Sequence, residues 1–248
     1  MSRKIIREAF KDIFGSLGVV KSGHFELNNG KHSGAYIDKE TLYNYPTLFS
    51  IFCNCLVDYF LSDSYPNEFD VVLGPKSGGA FLAIELAIEY EAYCGYGELD
   101  ILEIDPKNDG ADQELTAEEL VISITNAVSE SPILAIFAQK DPNGRYYLRG
   151  SDKMLLQDKC VLIVDDVFTS GDTVRQVIEL ARESGAEIAG IFVVWDRSGG
   201  KLEALGGELG IYTTAFEVLH FTEWDIKDCP LCANGVSINT ELGRGGKK

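Results

Sequence analysis

The sequence predicts one α/β domain: a parallel sheet flanked by helices. Three observations predict it. Cys160-Val-Leu-Ile-Val164 is a continuous, mostly β-branched run, the pattern of a strand covered on both faces. Thr173 to Ser184 then reads as a helix, with Val174, Val177, Ile178 and Ala181 on one side and Gly185 as its stop. The same alternation recurs on either side. Asp70-Val-Val-Leu73 precedes a helical Ala80–Tyr90, and Ile188 to Trp195 forms the next strand. Alternating strands and helices make a parallel sheet, and such sheets take ligands beyond the carboxyl ends of their strands.

The other elements follow from local signals. Residues 41–62 read as a helix, with Pro46 suited to a first helical position. Phe49, Phe52, Cys53, Leu56, Val57 and Phe60 recur there as one buried stripe, which makes Cys53 a small core residue; Cys55 falls off the stripe. The pattern changes after Pro66. Residues 132–138 make another strand. Residues 141–150, with Pro142, Asn143, Gly144 and Gly150, form a hairpin-like loop carrying cationic side chains. Residues 95–131 break the rhythm, with ten acidic side chains against Lys107 alone. Thr116-Ala-Glu-Glu119 within them matches a capping box. We read this stretch as an acidic surface excursion, although Leu120, Val121 and Ile124 need something to pack against. The end, from about Glu241, is Gly- and Lys-rich and expected to fray.

Composition excludes several classes. The 248 residues are 45% hydrophobic and 25% charged, ordinary for a globular chain and not for a disordered one. A formal net charge of −17 repels a phosphate backbone, so nucleic acid is not an expected partner. No apolar run approaches the roughly 20 residues that span a bilayer, so no membrane partner is expected. The basic N-terminus has no apolar stretch behind it, so it is not read as a signal peptide and a cytoplasmic location is expected. Six scattered cysteines do not make a disulfide scaffold.

The strongest signal is Val161-Leu-Ile-Val-Asp-Asp-Val-Phe-Thr-Ser-Gly-Asp-Thr173. A buried strand delivers two adjacent carboxylates, Asp165 and Asp166. A turn of small residues, Thr169 to Thr173, then opens a helix. Such a turn presents backbone N–H groups and hydroxyls to an anion, with the helix dipole in support. Carboxylates do not bind phosphate; they accept hydrogen bonds from sugar hydroxyls or hold a metal. Phosphate on one side and a diol on the other describe a ribose 5-phosphate. The blander reading, an acid pair that only caps the helix, leaves two adjacent charges at a strand end without a partner, which is costly.

This run resembles the 5-phosphoribosyl 1-pyrophosphate (PRPP) signature of the type I phosphoribosyltransferases. Three further pieces resemble the orotate-using branch of that family. Gly23-His-Phe-Glu-Leu-Asn-Asn-Gly-Lys-His-Ser-Gly-Ala-Tyr-Ile-Asp38 is similar to its N-terminal hood segment. Leu73-Gly-Pro-Lys-Ser-Gly-Gly79 is similar to its pyrophosphate loop, and Trp195-Asp-Arg197 to its Asp-Arg pair. The Cys229-Pro-Leu-Cys-Ala-Asn-Gly-Val236 run recurs in one branch of it.

The resemblance implies one domain over 1–248 of the type I phosphoribosyltransferase-like fold, with a small hood from about 1–40 plus part of the C-terminal region. It implies transfer of phosphoribose from PRPP to orotate. Lys76, Ser77, Lys140, Asp165, Asp166, Val167, Phe168 and the turn Thr169, Ser170, Gly171, Asp172, Thr173 would hold PRPP, with Lys140 and Asp166 as the catalytic pair. Asn28, Tyr36, Thr169 and Arg197 would hold orotate. It also implies Mg²⁺ held mainly through PRPP with no direct protein ligation, and a homodimer whose mobile loop reaches into the neighbouring site. Departures from the family pattern are visible: Asn28 stands where a hood Lys is common, Ser77-Gly78 where a Tyr-Lys pair is, and Gln139-Lys140 where Arg-Lys is. Arg145 or Arg149 would supply the missing loop charge.

Two alternatives remain open at this level. A phosphoribosyltransferase for another base would have no carboxylate for Arg197. A non-catalytic PRPP-sensing regulator would normally carry a basic nucleic-acid surface, against which −17 argues. Lys76 is a pyrophosphate ligand or a solvated lysine. Cys229-Pro-Leu-Cys232 has metal-ligand spacing but no second cysteine pair, with His220 nearby as a third donor; two reduced thiols are the simpler reading. His24 and His32 are read as structural.

Overall fold

The computed structural model describes residues 3–27, 29–58, 69–94 and 133–243. Asn28, Phe60, Pro66, the acidic excursion 95–131 with its capping box, and the last five residues lie outside them. The described elements run α1 (Arg3–Leu17), β1 (Val20–Glu26), β2 (His32–Ile37), α2 (Glu40–Tyr43), α3 (Pro46–Leu56), β3 (Val71–Pro75), α4 (Gly78–Tyr93), β4 (Leu134–Lys140) and β5 (Tyr146–Tyr147). They continue with α5 (Gly150–Leu156), β6 (Cys160–Phe168), α6 (Asp172–Glu183), β7 (Glu187–Asp196), α7 (Lys201–Leu209), β8 (Tyr212–Val218), β9 (Glu223–Trp224) and α8 (Pro230–Ala233).

Six strands form the main sheet in the order β5-β4-β3-β6-β7-β8. Every pairing from β4 to β8 is parallel; β5 alone is antiparallel, closing a hairpin on β4. Strand residues alternate between the faces, and the core divides accordingly. Val72, Leu162, Val164, Phe192 and Val194 face α1, α3 and α4, whereas Val71, Leu73, Val161, Ile163, Ile191 and Val193 face α6, α7 and Leu156 of α5. That period of two, with both faces apolar, is why these strands read as unbroken hydrophobic runs. Phe14 packs edge-on against Phe52, Trp195 and Phe216, so α1 belongs to this core. A separate three-stranded antiparallel sheet, β1-β2-β9, stands apart from the main one.

Several boundaries differ from the sequence reading. The helix expected over 41–62 divides into α2 and α3. Tyr45, held out of helical geometry at φ −117°, ψ 76°, precedes the proline that opens α3. β6 continues four residues past Val164 because its ladder with β7 continues through Asp165↔Val193 and Phe168↔Asp196. β4 takes up Gln139 and Lys140, which pair with Tyr147 and Tyr146. α4 starts inside the Gly-rich loop, where a Cβ at Gly74 would overlap the Gly79 backbone; the two glycines let strand and helix touch. Among the described residues no helix is long and apolar enough to cross a membrane.

Candidate active site

One cleft of about 850 Å³ opens at the carboxyl ends of β3, β4, β6 and β7. Lys76, Ser77, Lys140, Asp165, Asp166, Val167, Thr169, Ser170, Asp172, Thr173, Arg197 and Tyr36 all line it, so segments far apart in sequence converge there; Gly171 is not among its lining residues. Its cations are Lys39, Lys76, Lys140, Arg197 and Lys201; its carboxylates are Asp165, Asp166, Asp172 and Glu223. A chain with 39 acidic and 22 basic residues thus concentrates positive charge here, which suits an anionic ligand.

One end of the cleft is the β6–α6 turn. Gly171 takes φ +89° as the residue before α6, which frees the first N–H groups of a twelve-residue helix to face the cleft. Ser170 Oγ donates to Asp172 Oδ2 at 2.8 Å and so fixes the turn. Phe168, assigned to PRPP by resemblance, is buried beneath the turn: its ring lies in the core and against Gly171, and it is not among the residues lining the cleft.

The carboxylate pair has a partner that the sequence reading missed. Lys39 Nζ lies 2.9 Å from Asp166 Oδ1 and 2.7 Å from Oδ2, and Tyr43 donates to Asp166 Oδ2 at 3.1 Å. Burial would depress the Lys39 ammonium, yet Asp166 and then Asp165 leave it above its ordinary value. Burial, seconded by Asp166, raises the Tyr43 hydroxyl. Asp165, 8% exposed, is pushed well above the usual carboxylate range by burial first and then by the Asp166 charge. The pair is therefore half compensated, with Asp166 in a salt link to Lys39 and Asp165 biased toward its proton. Two adjacent acids call for a counter-charge, but no local pattern points to Lys39.

On the opposite side Lys76 Nζ donates to Gln139 Oε1 at 3.3 Å, and the Lys76–Ser77 peptide bond is cis. Lys140 Nζ sits 5.0 Å from the Tyr146 ring centre, at the end of β4. Lys140 lines the cleft from the end of a paired strand, directly before the 141–150 hairpin. Neither arginine of the hairpin supplies the missing charge. Arg149 is engaged with Asp152 through two 2.8 Å bonds that cap α5, and Arg145 is exposed and does not line the cleft.

Arg197 marks the third side. Its backbone N–H donates to Phe168 O at 2.9 Å, tying it to the end of β6. The guanidinium lies 4.8 Å from the Phe221 ring centre and is 6% exposed. Nη2 makes only a long, 3.4 Å contact with Glu223, and the buried Nε has no hydrogen-bond partner. Burial lowers its pKa, with Glu223 opposing. Tyr36 stands beside it, its ring 5.4 Å from Phe25. Glu223 is held by Asn29 at 3.0 Å, and Asn28 lies outside the described residues.

The C-terminal cysteines also find company. His24 and His32, not His220, gather against Cys229 and Cys232; His220 is exposed and outside the group.

Fold and site together define an α/β protein with a glycine-bearing, helix-opening turn and a carboxylate pair at the mouth of a parallel sheet. The chain belongs to the phosphoribosyl transferase domain family, whose model matches residues 52–215. The orotate phosphoribosyltransferase of Caldanaerobacter subterraneus subsp. tengcongensis is 28% identical over 232 residues, covering 94% of this chain and 95% of that protein. The orotate phosphoribosyltransferase of Caldicellulosiruptor saccharolyticus is 29% identical, with 94% of each chain covered. Among solved structures, orotate phosphoribosyltransferase from Aeropyrum pernix superposes with a TM-score of 0.55 at 19% identity, over 84% of this chain and 92% of that one.

Proposed function

We propose that this protein is an orotate phosphoribosyltransferase, which transfers the 5-phosphoribosyl group of PRPP to orotate and releases pyrophosphate in pyrimidine synthesis. The observation that carries the base is Arg197: a cleft-lining guanidinium, held only by a long contact to Glu223 among the described residues, is the natural partner of a carboxylate. The names of the full-length relatives support the same choice.

In this reading the β6–α6 turn holds the 5′-phosphate, and Asp165 and Asp166 accept the ribose hydroxyls. The sugar gains positive charge as its bond to pyrophosphate breaks and a ring nitrogen of orotate bonds to the same carbon. The acid pair stabilises that charge, while Lys76 and Lys140 face the negative charge accumulating on the leaving group. The donor set fits Mg²⁺, which takes oxygen ligands, keeps waters and binds through one or two carboxylates plus substrate phosphates. It would be held mainly through PRPP, with the Asp165 and Asp166 carboxylates placed to accept from its waters. When bound it neutralises the pyrophosphate.

The test is an assay with PRPP, Mg²⁺ and a panel of bases. Orotate should be the preferred acceptor; faster use of adenine or hypoxanthine would refute the assignment. Arg197→Ala should cost about 1.5–3 kcal/mol of orotate recognition, the scale of hydrogen bonds to a charged group, while PRPP affinity stays near wild type. Equal losses for both ligands by calorimetry would place Arg197 elsewhere.

We also propose a homodimer in which Lys140 reaches into the neighbouring site. Mixed dimers of inactive Lys140→Ala and Asp166→Asn protomers then hold one site with both lesions and one with neither, so about a quarter of wild-type activity should return on random reassortment. No recovery after verified subunit exchange would place Lys140 in its own chain's site. We propose a cytoplasmic location, in keeping with six scattered cysteines whose spacing makes no disulfide scaffold.

A further inference from the structure

Outside the cleft, the described residues hold one cluster of side chains able to ligate a metal: His24 on β1, His32 on β2, and Cys229 and Cys232 at α8. We propose that these four residues form a structural zinc site that fastens the β1–β2 hairpin to the C-terminal segment.

The first ground is convergence. The four donor atoms lie within 4.8 Å of one another. Cys229 Sγ is 3.5 Å and Cys232 Sγ 3.7 Å from His24 Nε2, and Cys232 Sγ is 3.2 Å from His32 Nδ1. A tetrahedral zinc with Zn–N of about 2.0–2.1 Å and Zn–S of about 2.3 Å sets its nitrogen and sulfur ligands about 3.5 Å apart, as found here. The 2.8 Å between His24 Nε2 and His32 Nδ1 is about 0.5 Å below the tetrahedral edge, so the two rings need only a small parting to admit the ion.

The second ground is orientation from behind. His24 Nδ1 lies 2.7 Å from the carbonyl oxygen of Val236, which can only accept. That nitrogen therefore carries the proton and leaves Nε2 as a bare lone pair aimed at both cysteines and His32, the arrangement that outer partners impose on ligating histidines. The donors are also locally well placed. Cys229 and Cys232 stand on a tight knuckle in which Ala233 N–H donates to Cys229 O and Gly235 N–H to Cys232 O. His24, His32 and Cys229 are each 2% exposed, whereas Cys232 is exposed and gives the ion a way in.

The donor set selects the metal. Two thiolates and two imidazoles in a tetrahedron favour zinc over hard cations, and with all four positions filled by protein the site is structural rather than catalytic. It also has a mechanical purpose. β9 pairs with β2 through only two residue pairs, His32↔Trp224 and Ser33↔Glu223. A metal joining His24 and His32 to the turn just beyond β9 would hold this strand, and Glu223 with it, at the rim of the cleft. The sequence reading preferred two reduced thiols because no second cysteine pair exists; the other two donors are histidines, 205 residues from Cys229 and 200 from Cys232.

The test needs no activity. The full-length protein, made without a polyhistidine tag, loaded with zinc and dialysed, should retain about one zinc per chain by mass spectrometry of the metal. Competition with a chromophoric chelator should give a dissociation constant of about 50 nM or tighter. Cys229→Ser and Cys232→Ser should each weaken binding at least about 100-fold, while His220→Ala binds as wild type. Cys232 is exposed, so its serine variant should keep the native circular dichroism while losing the ion. Cobalt(II) in place of zinc should show thiolate-to-metal charge-transfer and tetrahedral d–d bands, absent from Cys232→Ser. Chelation should lower the melting temperature of the wild type and leave that of Cys232→Ser unchanged. Micromolar or weaker zinc affinity, a Cys229–Cys232 disulfide in freshly isolated protein, or zinc retained by both cysteine variants would overturn the proposal.

Discussion

Asp165→Asn and Asp166→Asn are expected to shift folding stability in opposite directions while each weakens PRPP binding. Asp166 is the partner of Lys39 and Tyr43, so its loss leaves an ammonium without its counter-charge beneath the cleft. Removing one member of a buried pair costs about 3–5 kcal/mol; Lys39 keeps 34% of its side chain exposed, and solvent screening reduces this to about 1–2 kcal/mol. For a chain of this length that is a melting temperature lower by about 2–8 °C. The raised pKa of Lys39 means its contribution is complete at neutral pH and fades only as pH climbs through that raised value.

Asp165 has the opposite sign. Its carboxyl is raised by burial and by Asp166, so the folded state binds its proton more tightly than the unfolded chain does. Below the unfolded value of about 3.9 no penalty exists; it grows as pH rises from there through the raised folded value, and is fully present above it. Asp165→Asn should therefore melt higher than wild type at pH 7 and flatten the decline of stability over that pH window. If each carboxylate accepts from a ribose hydroxyl, at about 1.5–3 kcal/mol each, the double variant should bind PRPP about 10²- to 10⁴-fold more weakly. Undiminished thermal protection by PRPP in the double variant would remove the acid pair from the site. An Asp166→Asn protein as stable as wild type would show that the Lys39 link contributes nothing.

Gly78→Ala should be almost as damaging, through sterics rather than charge. A Cβ at Gly78 would overlap the Asp166 carboxylate and come within 3.0 Å of the Tyr43 hydroxyl. Neither neighbour can retreat, since Asp166 is fixed by Lys39 and by the Val167 N–H at 2.7 Å. Such overpacking costs about 1–3 kcal/mol of stability. Because the group displaced is the carboxylate itself, turnover should fall by more than the stability loss explains. Gly150→Ala is the matched control: a Cβ there meets nothing within 4 Å, and alanine favours the first turn of α5. Equal activities for the two variants at a temperature where both are folded would contradict the placement of Asp166.

Local chemistry wrote a good part of this protein directly into its sequence. The strand at 160–164, the helix that follows, the turn between them and the acid pair all rest on neighbours within about fifteen residues, where hydrophobic period, glycine and helix-capping rules operate. Arg197 was legible because it follows a strand end directly. The break at Tyr45 leaves no mark on the apolar stripe, which begins only beyond it at Phe49. The extensions of β4 and β6 depend on ladder partners that no window of sequence contains.

The remainder was decided by packing over long separations. Lys39 meets Asp166 across 127 residues, and Cys229 meets His24 across 205. Each half is ordinary on its own: a lysine after a strand, a cysteine in a short turn, a histidine in a hairpin. Composition alone assigns a net charge of −17 and repulsion of polyanions, but only the folded chain collects five cations around one cleft and makes a small anion welcome there. Sequence patterns determine which elements form and which face each one buries. Which distant side chains then share a pocket depends on how those faces stack, and that is settled only when the whole core closes.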